Sequence, residues 1–282
     1  MMKIYGIDFT STPRHSKAIT LATAKLHEGV LNITNCEDLT NTAEFSEFLK
    51  TPGPWIAAID FPFGQPRKLV VDCRWPCSWE GYVEYVSQMG KGAFEECLRS
   101  YKDAESGRRR LRRETDIRAG SLSPMQLDFT PVGKMFYIGS SLLLKSPCTV
   151  IPFRVGYDGS GIIVEGYPKL VAVKAIGRQG YKSDLPTPKN DQNREFRNSI
   201  LEWIRQPAAQ RIYGSHVELA DTVVSDCLDD PKGDKLDAAL CVMQAAWSWS
   251  QRQARYGVPK DCDLLEGWIV DPSLIITTTS GK

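Results

Sequence analysis

The segment Trp55-Ile56-Ala57-Ala58-Ile59 is wholly apolar and too short for a stable helix, and it is bounded by Thr51-Pro52-Gly53-Pro54 before it and Asp60 after it. A run of this length without polar alternation reads as a strand buried on both faces, the kind found inside parallel sheets. That requirement points to the α/β class, because a strand parallel to an earlier one needs a crossover connection, and a sheet buried on both faces needs helices to cover it.

The residues upstream supply the other parts. An apolar run, Ile4-Tyr5-Gly6-Ile7, delivers Asp8 into a polar turn, Thr10-Ser11-Thr12-Pro13. Lys17 to Leu26 and Gly29 to Asn35 are strand-length runs rich in β-branched residues, separated by His27-Glu28, and with the first strand they form an antiparallel meander. Thr42 to Lys50 has Phe45, Phe48 and Leu49 at helical spacing behind a Thr N-cap candidate. The order strand, strand, strand, helix, strand returns the fourth strand beside and parallel to the first. Asp8 and Asp60 then stand at the same sheet edge, beyond the carboxyl ends of the strands, where open α/β sheets bind ligands.

Residues 61 to 160 read as a long insertion in one domain spanning 1–282. It opens on the turn Phe61-Pro62-Phe63-Gly64-Gln65-Pro66, contains a helix within Tyr82 to Arg99, and continues to an apolar helix over Val132 to Leu144. Between them Gly107 to Arg113 packs five arginines into seven residues. Such a run is either a solvated helix face balanced by Glu105, Glu114 and Asp116, or a phosphate-contacting surface, since guanidinium forks pair bidentately with phosphate oxygens. The second alternative makes Arg109, Arg110, Arg112 and Arg113 candidates for nucleic-acid binding.

Downstream, Gly161-Ile162-Ile163-Val164 is a further buried strand ending in Glu165, and Pro168 sits in the first turn of the helix that follows. Residues 177 to 192 read as an exposed loop, and Arg194 to Arg205 as an amphipathic helix with Phe196, Ile200, Leu201 and Ile204 on one side. The clearest helix begins at Asp234 and carries Asp237 in its first turn. Its Leu236, Leu240, Met243 and Trp247 recur at helical spacing and should pack on the sheet.

Composition limits what these parts can do. With 35 Lys and Arg against 34 Asp and Glu the net charge is +1, so no global field draws the chain to nucleic acid or to an anionic membrane, and any such affinity is local. No apolar run approaches the 18 or so residues of a membrane span, and the N-terminus lacks the pattern of a secretory signal, so the expectation is a cytoplasmic protein without a membrane partner. Eight dispersed cysteines read as free thiols, and three histidines leave little scope for a structural zinc site.

Asp8, Asp60, Glu165, Asp234 and Asp237 therefore stand out. Each has an ordinary alternative: a strand-end Asp opens an Asx-turn, Asp234 with Asp237 three residues on resembles a capping pair, and Glu165 suits the first turn of a helix. Capping does not, however, require every carboxylate to land on one sheet edge. Carboxylates gathered there need a counter-charge, and hard oxygen ligands select Mg²⁺ or Mn²⁺. Two such ions about 4 Å apart could activate water and stabilise the leaving oxygen in phosphodiester cleavage.

In this order, Gly6-Ile7-Asp8-Phe9, Ile59-Asp60-Phe61-Pro62-Phe63-Gly64, Arg112-Arg113-Glu114-Thr115-Asp116, Glu165-Gly166-Tyr167-Pro168, Asp234-Lys235-Leu236-Asp237-Ala238-Ala239-Leu240 and Glu266-Gly267-Trp268-Ile269 resemble the domain-of-unknown-function 429 family, regarded as predicted nucleases of the ribonuclease H-like fold. The Asp-x-x-Asp-Ala-x-Leu helix also resembles that of Holliday-junction resolvases of the RuvC type. The resemblance implies a mixed five-stranded sheet in the order 3-2-1-4-5, with only strand 2 antiparallel, flanking helices and a long helical insertion after strand 4. It also implies that Asp8, Asp60 or Glu165, and Asp237 with Asp234 are metal ligands. Resolvase-like enzymes usually carry Glu on the fourth strand where this chain has Asp60, so Asp60 and Glu165 remain alternatives.

The leading expectation is a metal-dependent nuclease acting on DNA or RNA. Two others stand beside it: a catalytically silent ribonuclease H-like module that binds nucleic acid or protein, and an actin-like or sugar-kinase-like phosphotransfer domain, suggested by Gly6-Ile7-Asp8-Phe9-Thr10-Ser11-Thr12. Against the last, the chain has no second phosphate-binding loop of Asp-Gly-Thr/Ser type. Fold alone does not decide among them.

Overall fold

The computed structural model describes residues 1–104, 110–183 and 190–275. The elements run β1 (Met2–Asp8), β2 (Ile19–His27), β3 (Val30–Leu39), α1 (Thr42–Leu49), β4 (Trp55–Asp60), α2 (Arg67–Asp72), α3 (Trp79–Met89), α4 (Lys91–Ala104), α5 (Glu114–Ala119), α6 (Val132–Lys145), β5 (Thr149–Val150), β6 (Ile162–Glu165), α7 (Lys169–Ile176), α8 (Asn190–Ile204), α9 (Pro207–Tyr213), β7 (His216–Leu219), α10 (Asp221–Asp229) and α11 (Asp234–Ser250). The sheet has seven strands in the order β5-β6-β4-β1-β2-β3-β7. Only β2 runs against its neighbours; every other pairing is parallel.

The expected order 3-2-1-4-5 is present as β3-β2-β1-β4-β6, but five strands become seven. Two short edge strands were not expected. β5 comes from within the insertion, which is therefore not wholly helical, and β7 adds four residues beside β3. Three further details differ. The side chain of Asn41, not a Thr, caps α1 by accepting from the Glu44 N–H at 2.9 Å. The Tyr82 to Arg99 region is two helices broken at Gly90, whose φ of 85° ends α3. Of the stretch 177–192, residues 184–189 lie outside the described residues; among the rest, Tyr181 is buried and α8 starts at Asn190, so it is not simply an exposed loop.

Strand side chains alternate between faces, and each face carries its own core. Ile4, Ala22, Ala24, Ala58 and Val164 pack toward α11, in one core with residues of α8, α9 and α10. Ile7, Ile19, Leu21, Ile59 and Ile163 face the opposite way, onto α1 and the insertion helices α3, α4 and α6. The bulk of the insertion thus covers the face opposite α11.

The closeness of α11 follows from small residues. Gly6 pairs with Ala22 on one side and Ala58 on the other, a shallow row across three central strands. A Cβ added at Gly6 would lie 2.0 Å from the Ala238 carbonyl oxygen and 2.3 Å from the Val242 nitrogen. The helix backbone therefore rests on β1 at a distance only glycine permits. Consequently α11 is buried on nearly every side, from Leu236 to Ser248.

Candidate metal centre

Asp8 and Asp60 are register partners at the carboxyl ends of the parallel neighbours β1 and β4. They stand at even spacing from Gly6 and Ala58, so both face α11. The first turn of that helix brings Asp237 to them, and carboxylate oxygens of Asp8, Asp60 and Asp237 all lie within 4.8 Å of one another. Asp8 is 7% exposed and Asp237 is fully buried, while Asp60 is half-buried.

The capping alternative fails at α11. Its N-cap is Gly233, at φ 72°, and the side chain of Asp230 accepts from the Lys235 and Lys232 N–H groups at 3.1 and 3.0 Å. That leaves Asp234 and Asp237 for other partners. Asp234 accepts from Lys17 Nζ at 2.5 Å. Asp237 accepts from the Tyr181 hydroxyl at 2.6 Å and from Lys182 Nζ. Among the described residues, no hydrogen bond of the Asx-turn kind runs from the Asp8 or Asp60 side chain to the following backbone.

Burial is the first cause that pushes these carboxyls up. Asp8 is raised well above the usual carboxylate range by burial and then by Asp234 and Asp237, with Lys182 and Lys17 opposing. Asp60 is pushed up to about 7 by burial and then by Asp237. Asp234 is also raised, by burial. Such groups gain by meeting a cation.

Glu165 ends β6 on the same sheet edge but does not join the cluster. It pairs in register with Ile59 and follows Ile163 by two, so alternation sends it to the face opposite Asp8 and Asp60. There both its oxygens are bound by Arg113, Nη2 at 2.5 Å and Nη1 at 2.8 Å, and Oε2 also accepts from the Phe63 N–H at 2.9 Å.

The arginine run divides similarly. Arg113 is 1% exposed and bridges Glu165 and Asp116, so its guanidinium is not available to a phosphate backbone, contrary to the expectation for that residue. Exposed Arg112 donates to the Asp116 carbonyl at 2.5 Å, and Arg110 lies 3.7 Å from Asp128. Arg109 is outside the described residues.

Lys17, Tyr181 and Lys182 belong to the site without having been singled out in the sequence. Two lie in a loop with no periodicity, so only the tertiary fold joins them to Asp237. Beside the cluster opens a cavity of about 380 Å³, reached from Asp60, Asp237 and Lys182.

Fold and site together define an α/β protein with a three-carboxylate centre at the carboxyl edge of a mostly parallel sheet. Compared with family models, with curated proteins and with solved structures, the chain matches none. Among the described residues no helix is long and apolar enough to cross a membrane.

Proposed function

We propose that the chain is a divalent-metal-dependent nuclease of ribonuclease H-like architecture, hydrolysing phosphodiester bonds with a Mg²⁺ or Mn²⁺ ion held by Asp8, Asp60 and Asp237. The observation that carries this reading is the convergence of their carboxylate oxygens within 4.8 Å, from two neighbouring strand ends and one helix. The donor set fits the ion. It consists of hard oxygens, and the nearby thiol of Cys241, one turn along α11, is kept protonated by burial.

Charge favours one ion over two. Asp8, Asp60, Asp234 and Asp237, when ionised, carry four negative charges against the two of Lys17 and Lys182, a balance that one divalent cation neutralises. When bound, the ion supplies Lewis acidity and a water of lowered pKa. Lys182, which both bonds Asp237 and lines the cavity, brings a second positive charge to the phosphoryl oxygens. Tyr181 and Lys182 together fix the Asp237 carboxylate, limiting the reorganisation the site must undergo. In the net reaction a water oxygen bonds to phosphorus and one phosphorus–oxygen ester bond breaks, leaving a phosphate monoester and a hydroxyl.

The test is hydrolysis of labelled single-stranded DNA and RNA with Mn²⁺, beside EDTA controls and Asp8→Asn and Asp60→Asn. Cleavage that EDTA and either substitution reduces by about a thousandfold or more supports the reading. Nucleic-acid binding without cleavage by the wild type would replace it with the silent binding module.

A further inference from the structure

The cavity beside the carboxylates has a character of its own. Its volume, about 380 Å³, falls within the roughly 300–1,000 Å³ of small-molecule sites. Its lining includes residues of α7 and of the segment after α5. Each offers an exposed apolar side chain, Val173 at 38% and Leu122 at 45%. Pro168 adds a rigid apolar surface, and Tyr167 is held in place by α11: its N–H donates to Gln244 Oε1 at 2.8 Å, and its carbonyl accepts from Gln244 Nε2 at 3.1 Å. The charged lining is mixed: Arg113 is paired with Asp116 and Glu165 and Lys182 with Asp237, while Lys169 and Arg178 add positive charge beside the apolar interior.

A mainly apolar space with Lys169 and Arg178 in its lining, opening on Asp60 and Asp237, fits a group with apolar faces joined to an anion. Resting on the nuclease reading above, we infer that the cavity takes the base of a single unpaired nucleotide, with its phosphate directed to the carboxylate centre. A base pair within a duplex cannot enter a space of this size without leaving the stack, so substrates are single-stranded, terminal or flipped-out nucleotides. Selectivity among bases is weak, because contact with a π-face is common to all of them.

The test is calorimetric titration of the full chain with adenosine and thymidine 5′-monophosphates, ribose 5-phosphate and inorganic phosphate, each in Mn²⁺ and in EDTA. Both nucleotides are expected to bind at least about tenfold more tightly than ribose 5-phosphate in either condition, as stacked bases do. Val173→Trp, at a partly exposed helix position, fills the cavity; it should remove that preference while leaving Mn²⁺ binding unchanged. Leu122→Asp, elsewhere in the lining, should do the same. Equal affinity for nucleotides and ribose 5-phosphate overturns the inference even where Mn²⁺ binds normally. So does a preference that survives both substitutions. A preference for nucleotides in EDTA, with no Mn²⁺ bound by the wild type, supports the cavity assignment and removes the metal reading instead.

Discussion

Replacing Lys182 by Met should raise the affinity for Mn²⁺ while lowering stability without metal. The ammonium contacts Asp237 and is felt by Asp8 and Asp60, so it occupies the field that a divalent ion would enter. A unit charge about 5 Å from a doubly charged ion, at an effective dielectric constant of about 40, repels it by roughly 3 kcal/mol. Lys182 is half-exposed, and solvent screening lowers this to about 1–2 kcal/mol, a roughly tenfold gain in affinity for Lys182→Met. Hydrolysis should nonetheless fall by about tenfold or more, because the second cation facing the phosphate is gone. The assays are a calorimetric Mn²⁺ titration, thermal melting with and without Mn²⁺, and initial rates at saturating metal. A Lys182→Met protein that binds Mn²⁺ more weakly than wild type would refute the reasoning, since the lysine would then be supporting the metal site and not competing with it.

Three further outcomes follow from the same geometry. Asp60 titrates near 7, above the ordinary carboxylate range, so its contribution to stability is complete at acid pH and is lost as pH rises through about 7. Without metal, stability in chemical denaturation should fall between about pH 4 and 7, by at most about 4 kcal/mol from this group, while Mn²⁺ affinity climbs with pH as Asp60 and Asp8 lose their protons. Gly6→Ala places a Cβ against the α11 backbone. It should cost about 3 kcal/mol in chemical denaturation and weaken Mn²⁺ binding by shifting Asp237 away from Asp8 and Asp60. Arg113→Met strands Glu165 and Asp116 in the interior, and urea melts should show a loss of about 3–5 kcal/mol.

How much of this was legible in the sequence depended on the kind of signal. The central strands were readable because β1, β2, β3, β4 and β6 are apolar or β-branched runs, and Asp8, Asp60 and Asp237 could be placed once their order was known. β5 has two residues and β7 reads His216-Val217-Glu218-Leu219, too short and too polar to stand out. Glu165 directly follows Val164, which lies on the α11 face, so strand alternation sends it to the side away from Asp60. Sheet edge alone groups Asp8, Asp60 and Glu165, and edge does not specify face. The buried role of Arg113 was hidden inside a run of like residues, where composition suggests solvent. The Tyr181 and Lys182 contacts with Asp237 span more than fifty positions and have no local pattern at all.

The most direct measurement is the calorimetric titration of the wild type with Mn²⁺ at near-neutral pH, without nucleic acid, beside Asp8→Asn and Asp237→Asn. The expected result is one ion per chain in the wild type and none in either variant, with both variants still folded by circular dichroism. Wild-type protein that binds no Mn²⁺ up to millimolar concentration, or folded variants that bind it as the wild type does, would contradict the claim that these carboxylates hold a metal ion.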